Sequence, residues 1–521
     1  MKQSRLKKTR VLVSLAFFVA TSFVFLDFKG LLPDTVTDAI LYLQFTPSLL
    51  KFIGSAGLAA GGFLLVLLLT VLFGRVYCSS ICPLGFLQDV VSRIGKRFGK
   101  KKKYKFARPK YRIRYLILAG TALVFAAGSV SMLSWVDPFS IFGRTISVIV
   151  RPVYIGLNNF IAGVLYELNI FVLYPETIER TAMAVILFVL GWLVLVIRLS
   201  YKHGRLYCNT ICPVGTLLGL VSRWSIFQIK FEKNLCTNCG DCSIVCKAQC
   251  IDIKRKEIDF SRCVGCLNCI ASCPKNGLYY RLAGSSLSRP DVCPDRQERR
   301  KTMKSLAGLV ALSGFQRIVL GSKVLAHGAG TIAPLNEKQT ACPPGSVSIE
   351  HFTSACTACQ LCVSVCPTGV LQPSLLGYGL LEFMQPHMDY EQNYCNYECV
   401  RCSEVCPSGA ILPVARGNKK LTQIGKVRFV IENCVVHAEN TACGSCSEHC
   451  PTQAVHMVPY DTGLTIPEVD ESLCIGCGAC EHACPTRPWR AIYVDGNTVH
   501  ALARPPEVKS FEDSTVEEFP F

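Results

Sequence analysis

The sequence predicts a membrane α-helical bundle of four to five spans fused to small, cysteine-rich α+β modules. Three observations carry that expectation. Uncharged stretches at 11–26, 52–74, 115–136 and 181–197 are apolar, approach or reach the length of a bilayer crossing, and are flanked by basic residues. Six cysteine runs close to the form C-x2-C-x2-C-x3-C lie between residues 236 and 484. An element of the form G-R-x-Y-C-x2-I-C-P-x-G occurs twice, each time where an apolar stretch ends.

The composition fits. A chain of 521 residues has room for about three domains, and 50% hydrophobic residues is high for a soluble protein. Thirty-one cysteines would mean a disulfide scaffold in a small secreted chain, but their regular spacing points to metal instead. The formal charge of +18 overstates the basic excess. A [4Fe–4S] cube with four thiolates carries about two negative charges, so six would cancel roughly twelve positives. The rest lies beside the apolar stretches, a mark of membrane topology and not of nucleic-acid binding.

Residues 1–225 form the predicted bundle. Lys2, Arg5, Lys7, Lys8 and Arg10 precede the first stretch, and no small-residue cleavage site follows it, so it reads as a retained span. The 75–114 loop is strongly basic, with Lys100, Lys101, Lys102 and Lys103 at its centre. The positive-inside rule puts 1–10, 75–114 and the segment after 198 in the cytoplasm, with 28–51 and 137–180 outside. Apolar pieces near 39–50 and 152–175 are broken by charges or proline and read as interfacial or re-entrant helices.

The repeated element carries Cys78 and Cys82 in one copy and Cys208 and Cys212 in the other. Cysteines at i and i+4 share a helical face, and an internal repeat implies pseudo-symmetric helix pairs that bring the four thiols together. The expected result is a redox or metal site, either a further iron–sulfur centre or a dithiol pair; buried packing is the bland alternative. Arg75 and Arg205 of the same copies are candidates to anchor the interface, or to balance an anionic centre or a quinone oxygen. His203, Tyr77, Tyr207 and Asp137 are candidates for a quinone site only if a membrane-edge proton acceptor is needed, and a structural role is the other reading of each.

Residues 226–295 hold Cys236, Cys239, Cys242 and Cys246, then Cys263, Cys266, Cys269 and Cys273 followed by Pro274. This is the pattern of bacterial two-cluster ferredoxins, in which the fourth cysteine of each run ligates the other cube. One set is therefore Cys236, Cys239, Cys242 and Cys273, and the other Cys263, Cys266, Cys269 and Cys246. The alternation over 251–260 suits a short hairpin between them. Lys247 stands where proline is expected, and Cys250 is a spare thiol nearby. Zinc, the rival for C-x2-C pairs, does not require the third and fourth cysteines.

Residues 296–340 include Arg299-Arg300 ahead of a mildly hydrophobic stretch at 305–326, the pattern of a twin-arginine export signal and a possible fifth span. An amphipathic surface connector is the alternative, encouraged by Gln316 and Arg317. Residues 341–500 then carry four runs: Cys356, Cys359, Cys362, Cys366; Cys395, Cys399, Cys402, Cys406; Cys434, Cys443, Cys446, Cys450; and Cys474, Cys477, Cys480, Cys484. Proline follows the last cysteine of each. Irregular inner runs between regular outer ones suggest nested pairing, first with fourth and second with third, with adjacent pairing as the other possibility. Cys293 and Cys342 have no evident partner, and residues 501–521 form an acidic tail.

These motifs resemble known families over nearly the whole chain. The two G-R-x-Y-C-x3-C-P elements and the ferredoxin pair after the fourth stretch are similar to NapH, a membrane subunit that oxidises quinol for periplasmic nitrate reduction. Arg299-Arg300, Pro343-Pro344-Gly345 and four proline-terminated cysteine groups resemble the NapG/MauM ferredoxins. The resemblance is that of a natural NapH–NapG fusion. It implies a quinol dehydrogenase of the bacterial inner membrane with six [4Fe–4S] clusters, drawing on the quinone pool. It further implies a cytoplasmic two-cluster module, a periplasmic four-cluster domain, and a c-type cytochrome or periplasmic reductase as partner. No acid–base triad is required, because the cofactors carry the chemistry. The membrane element is shared with NosR-type regulators and CcoG-type copper-handling proteins, so a redox protein for metal reduction, cofactor maturation or regulation is the alternative. A NosR-like FMN-attachment pattern is not evident.

Overall fold

The computed structural model describes residues 2–282 and 339–506, apart from 28–29, 56–60, 99–103, 105, 179–180, 233–234 and 380. The twin-arginine segment, Cys293 and the end of the acidic tail lie outside the described residues.

The basic N-terminus runs directly into helix α1 (Lys2–Leu26). Helices α2 (Asp34–Tyr42) and α3 (Phe45–Ser55) lead to α4 (Gly62–Phe73), and a π turn at Tyr77–Ile81 carries Cys78 towards α5 (Pro83–Phe98). Next come α6 (Tyr111–Ala126), α7 (Ser131–Val136) and α8 (Pro138–Thr145), which a second π turn at Ile146–Val150 joins to α9 (Arg151–Glu167). Helices α10 (Met183–His203), α11 (Leu206–Thr210) and α12 (Pro213–Val221) complete this half.

Among the described residues three helical runs, Arg5–Leu26, Pro138–Glu167 and Met183–His203, are long and apolar enough to cross a membrane. The first and last match expectation. The middle one is a continuous helix where an interrupted piece at 152–175 is expected. Pro152 sits in the first turn of α9, just after the π turn, where its missing N–H and its ring are accommodated, so the helix continues through it. The expected third span, 115–136, is broken between Ala126 and Ser131, where Gly128 adopts a φ of 84°. The expected second span is represented by α4, a shorter apolar helix.

Two small α+β parts are attached. In the first, β1 (Phe227–Phe231) pairs antiparallel with β4 (Leu278–Leu282), and β2 (Ile251–Asp252) and β3 (Glu257–Ile258) form the expected hairpin. The second contains three antiparallel pairs: β5 (Leu371–Pro373) with β6 (Pro386–Met388), β7 (Thr422–Phe429) with β10 (Ile492–Leu502), and β8 (Val455–Pro459) with β9 (Thr465–Val469).

The two parts hold opposite ends of α10. Near its start, Val185 and Val189 pack with Ala358 and Met384 of the four-run domain, and Phe188 meets Phe383 edge-on at 4.7 Å. Just past its end, Arg205 N donates to Lys247 O of the two-run module at 3.0 Å. About fifteen residues of helix, roughly 22 Å, lie between these contacts. Gly204, with φ 68°, ends the helix, and a Cβ there would meet Lys247 O at 2.4 Å, so only glycine permits this approach.

Candidate metal centres

The four thiols of the repeated element meet in the bundle. Cys78, Cys82, Cys208 and Cys212 are buried in one apolar core with Phe139, Phe142 and Leu218, and Cys212 has Cys208, Cys78 and Cys82 as electrostatic neighbours. The two copies brace each other. Arg75 donates to Cys208 O at 3.1 Å and to Asn209 Oδ1 at 2.8 Å, while Arg205 donates to Cys78 O. A side chain at Gly85 or Gly215 would strike those same carbonyls at 2.3 Å, which accounts for the glycine closing each copy.

Donors converge on the sulfurs. Cys212 caps α12, with Gly215 N donating to its Sγ at 3.2 Å and Pro213 filling the first turn. Gln88 Nε2 donates to Cys208 Sγ at 3.2 Å, and Arg75 Nη2 lies 3.8 Å from Cys78 Sγ. These donors, two of them hydrogen bonds from a helix amide and a side-chain amide and the third a nearby guanidinium, would offset negative charge on a bound centre. Four buried sulfurs in this setting suit an anionic iron–sulfur centre or a dithiol pair.

Arg75 and Arg205 are buried braces of this site and not interfacial anchors. His203 is exposed at the end of α10, where its carbonyl accepts from Gln249 at 3.4 Å. Each of the other quinone-site candidates has a structural partner. Tyr77 donates to Gln44 Oε1 at 3.3 Å, Tyr207 to Val136 O at 2.6 Å, and Asp137 caps α8 by accepting from Ser140 N at 2.8 Å.

Sequence reasoning missed Asp89. Its Oδ1 lies 2.8 Å from Arg205 Nε and 3.2 Å from Lys247 Nζ, and its Oδ2 lies 3.7 Å from Arg10 Nη1. Burial alone would raise this carboxyl, but Arg205 and Lys247, with Arg10 behind them, hold it well below the usual carboxylate range. Lys247 therefore pins the two-run module to the bundle. The signal was on the page: a lysine in the place of a proline.

In that module Cys236, Cys239, Cys242 and Cys273 wall one cavity. Cys269 has Cys266, Cys263 and Cys246 as electrostatic neighbours. Both groupings follow the crossed pattern. Cys250 is buried beside the second set, its Sγ 3.6 Å from Cys246 Sγ and within reach of Cys263.

The four-run domain corrects the nested expectation. Cys362 neighbours Cys356, Cys359 and Cys406, while Cys366, Cys395, Cys399 and Cys402 wall a single cavity. Cys480 neighbours Cys477, Cys474 and Cys450, and Cys434 neighbours Cys443 and Cys484. Pairing is adjacent, first with second and third with fourth. The pairs meet where Cys395 N donates to Cys477 O at 2.9 Å. Cys342 Sγ lies 3.1 Å from His500 Nε2, away from these sets.

Every described cysteine is free of disulfide bonding. Among the described residues no three Cys, His, Asp or Glu close in tightly enough for a single metal ion. A zinc site would draw sulfurs to about 2.3 Å from the metal; cavities ringed by four separate thiols fit the larger cube.

Fold and sites together define an iron–sulfur protein of ferredoxin type with membrane-like helices. Comparison with known proteins agrees. Models described as 4Fe-4S binding domain match 56–101 with 182–234, and 256–279, while models described as 4Fe-4S dicluster domain match 355–411 and 441–487. The first dicluster match spans the first and second runs, and the other covers the third from Cys443 onward together with the fourth. The chain is 27% identical to ferredoxin-type protein NapH of Haemophilus influenzae, over 48% of this chain and 74% of that protein. It is 28% identical to ferredoxin-type protein NapF of Escherichia coli, over 26% and 73%. An uncharacterized protein of Methanocaldococcus jannaschii is 25% identical over 45% and 84%. No solved structure matches. The chain is an iron–sulfur, ferredoxin-type electron-transfer protein similar to NapH.

Proposed function

We propose that this chain is a NapH–NapG fusion that oxidises quinol in the bacterial inner membrane and delivers the electrons to a periplasmic c-type cytochrome or reductase. One observation carries the reading. A single apolar core contains Cys266 of the two-run module, the four bundle cysteines and Cys359 of the four-run domain, so one cysteine set of each module borders the bundle site. Bound [4Fe–4S] cubes would supply one-electron transfer with little rearrangement. Each quinol yields two electrons and two protons. The polypeptide holds the sets close together, keeps water away from the bundle thiols and fixes the charges around each.

On this reading the chain has four to five spans, six cubes and a further redox centre at the bundle cysteines. The two-run module is cytoplasmic and the four-run domain periplasmic. Basic flanks at 1–10 and 75–114, and modules at opposite ends of α10, support that sidedness.

Anaerobic purification in detergent, iron and sulfide counting, and addition of a reduced menaquinol or ubiquinol analogue test this. About twenty-four irons per chain are expected from six cubes, with an excess if the bundle cysteines hold another. Quinol should bleach the cluster absorbance. Loaded protein that stays oxidised with either analogue would overturn the dehydrogenase reading in favour of a metal-reducing or regulatory one.

A further inference from the structure

We propose that the four-run domain is seated on the bundle by one thiolate set, Cys356, Cys359, Cys362 and Cys406, and that Arg144 both positions this set and raises its reduction potential. The inference rests on the iron–sulfur reading and is independent of quinol as donor.

Arg144 lies near the end of α8 and is 2% exposed. Its Nε donates to Ala358 O at 2.8 Å, and its Nη2 donates to Thr357 O at 3.3 Å and to Ser134 O at 2.7 Å. Thr357 and Ala358 are the two residues between Cys356 and Cys359. One turn on, Ser147 Oγ donates to Gln360 O at 3.4 Å, between Cys359 and Cys362. Beside Arg144, a Cβ at Gly143 would stand 2.4 Å from Cys359 O, so the bundle backbone presses directly on the ligand loop. Leu361 and Val365 of the same run enter the bundle's apolar core with Phe25 and Phe142.

An ion pair across this seam is peripheral. Arg401 Nη1 is 3.9 Å from Asp34 Oδ1, with both side chains exposed, and such a pair is worth little. The third and fourth runs lie further along the domain, joined through Cys395 and Cys477. The first set is therefore the one gripped by the bundle.

The charge at this grip has a consequence. Arg144 has Cys359, Asp137, Cys356 and Tyr207 as electrostatic neighbours. Asp137 is also held by Thr46 and Ser140, and its carboxylate offsets part of the cation. One-electron reduction of a bound cube adds one negative charge to a buried site. A guanidinium hydrogen-bonded to the ligand loop stabilises that charge and lifts the potential.

The test is an EPR-monitored redox titration of the full-length protein in nanodiscs, poised with dithionite, for wild type, Arg144→Gln, Arg144→Lys and Gly143→Ser. Cys359→Ser identifies the signal of the seam set. Arg144→Gln should shift that signal to lower potential and leave the others in place, while Arg144→Lys should keep it near wild type. Gly143→Ser retains the cation but pushes against the Cys359 carbonyl and so moves the ligand loop away from Arg144, and should lower the same signal alone. An unmoved seam signal in both Arg144→Gln and Gly143→Ser, or a shift confined to another signal, overturns the proposal. The titration needs no quinol, so a wild type that quinol fails to reduce would sink the dehydrogenase reading and leave this one standing.

Discussion

Lys247 occupies the position that proline holds after the other five runs. Its ammonium shares Asp89 with Arg205, which is wholly buried. Removing the carboxylate would strand buried cations, so Asp89→Ala should cost about 3–5 kcal/mol. A lower Tm of the detergent-solubilised protein would record that loss. Lys247→Pro would complete the ferredoxin pattern yet loosen the module from the bundle, seen as faster amide exchange over 236–282. His500 offers a pH signature. Burial pushes its imidazole down to about 4, so the unfolded chain binds the proton more readily. The domain should be fully stable above about pH 6.5 and lose at most about 3 kcal/mol as pH falls towards 4. His500→Gln should flatten that dependence in a Tm-against-pH series.

At the scale of elements, apolar pattern and basic flanks located α1 and α10, but not the path between them. Pro152 looks like an interruption only when the π turn before it is unknown, and a π turn leaves no mark in hydropathy. Pairing of the cysteine runs was misjudged for a related reason. Irregular spacing in the second and third runs reflects local loops, whereas partnership follows the hairpins. A short antiparallel pair lies between the two runs of each unit: β2–β3 in the first module, then β5–β6 and β8–β9. The same unit recurs three times. Cys406→Ser should therefore abolish the same EPR signal as Cys356→Ser and spare the one lost in Cys395→Ser. Nested pairing would tie Cys406 to the Cys434 set instead.

For the molecule as a whole, the iron–sulfur, ferredoxin-type character was legible, because a cube demands thiolates at fixed short spacings. The seams between parts were not. Asp89 and Arg144 belong to no motif, and each acquires meaning only when distant segments close around it. What the assembled chain adds is a cysteine-rich module at each end of α10, with the four bundle cysteines in the core that touches both. The most direct measurement uses liposomes carrying the protein, quinol in the bilayer and a c-type cytochrome trapped in the lumen. The account predicts quinol-dependent reduction of the trapped cytochrome, abolished in a Cys78→Ser/Cys208→Ser variant that retains the ferredoxin iron. Fully iron-loaded wild type that leaves the cytochrome oxidised, or a double variant that reduces it as fast, would contradict it.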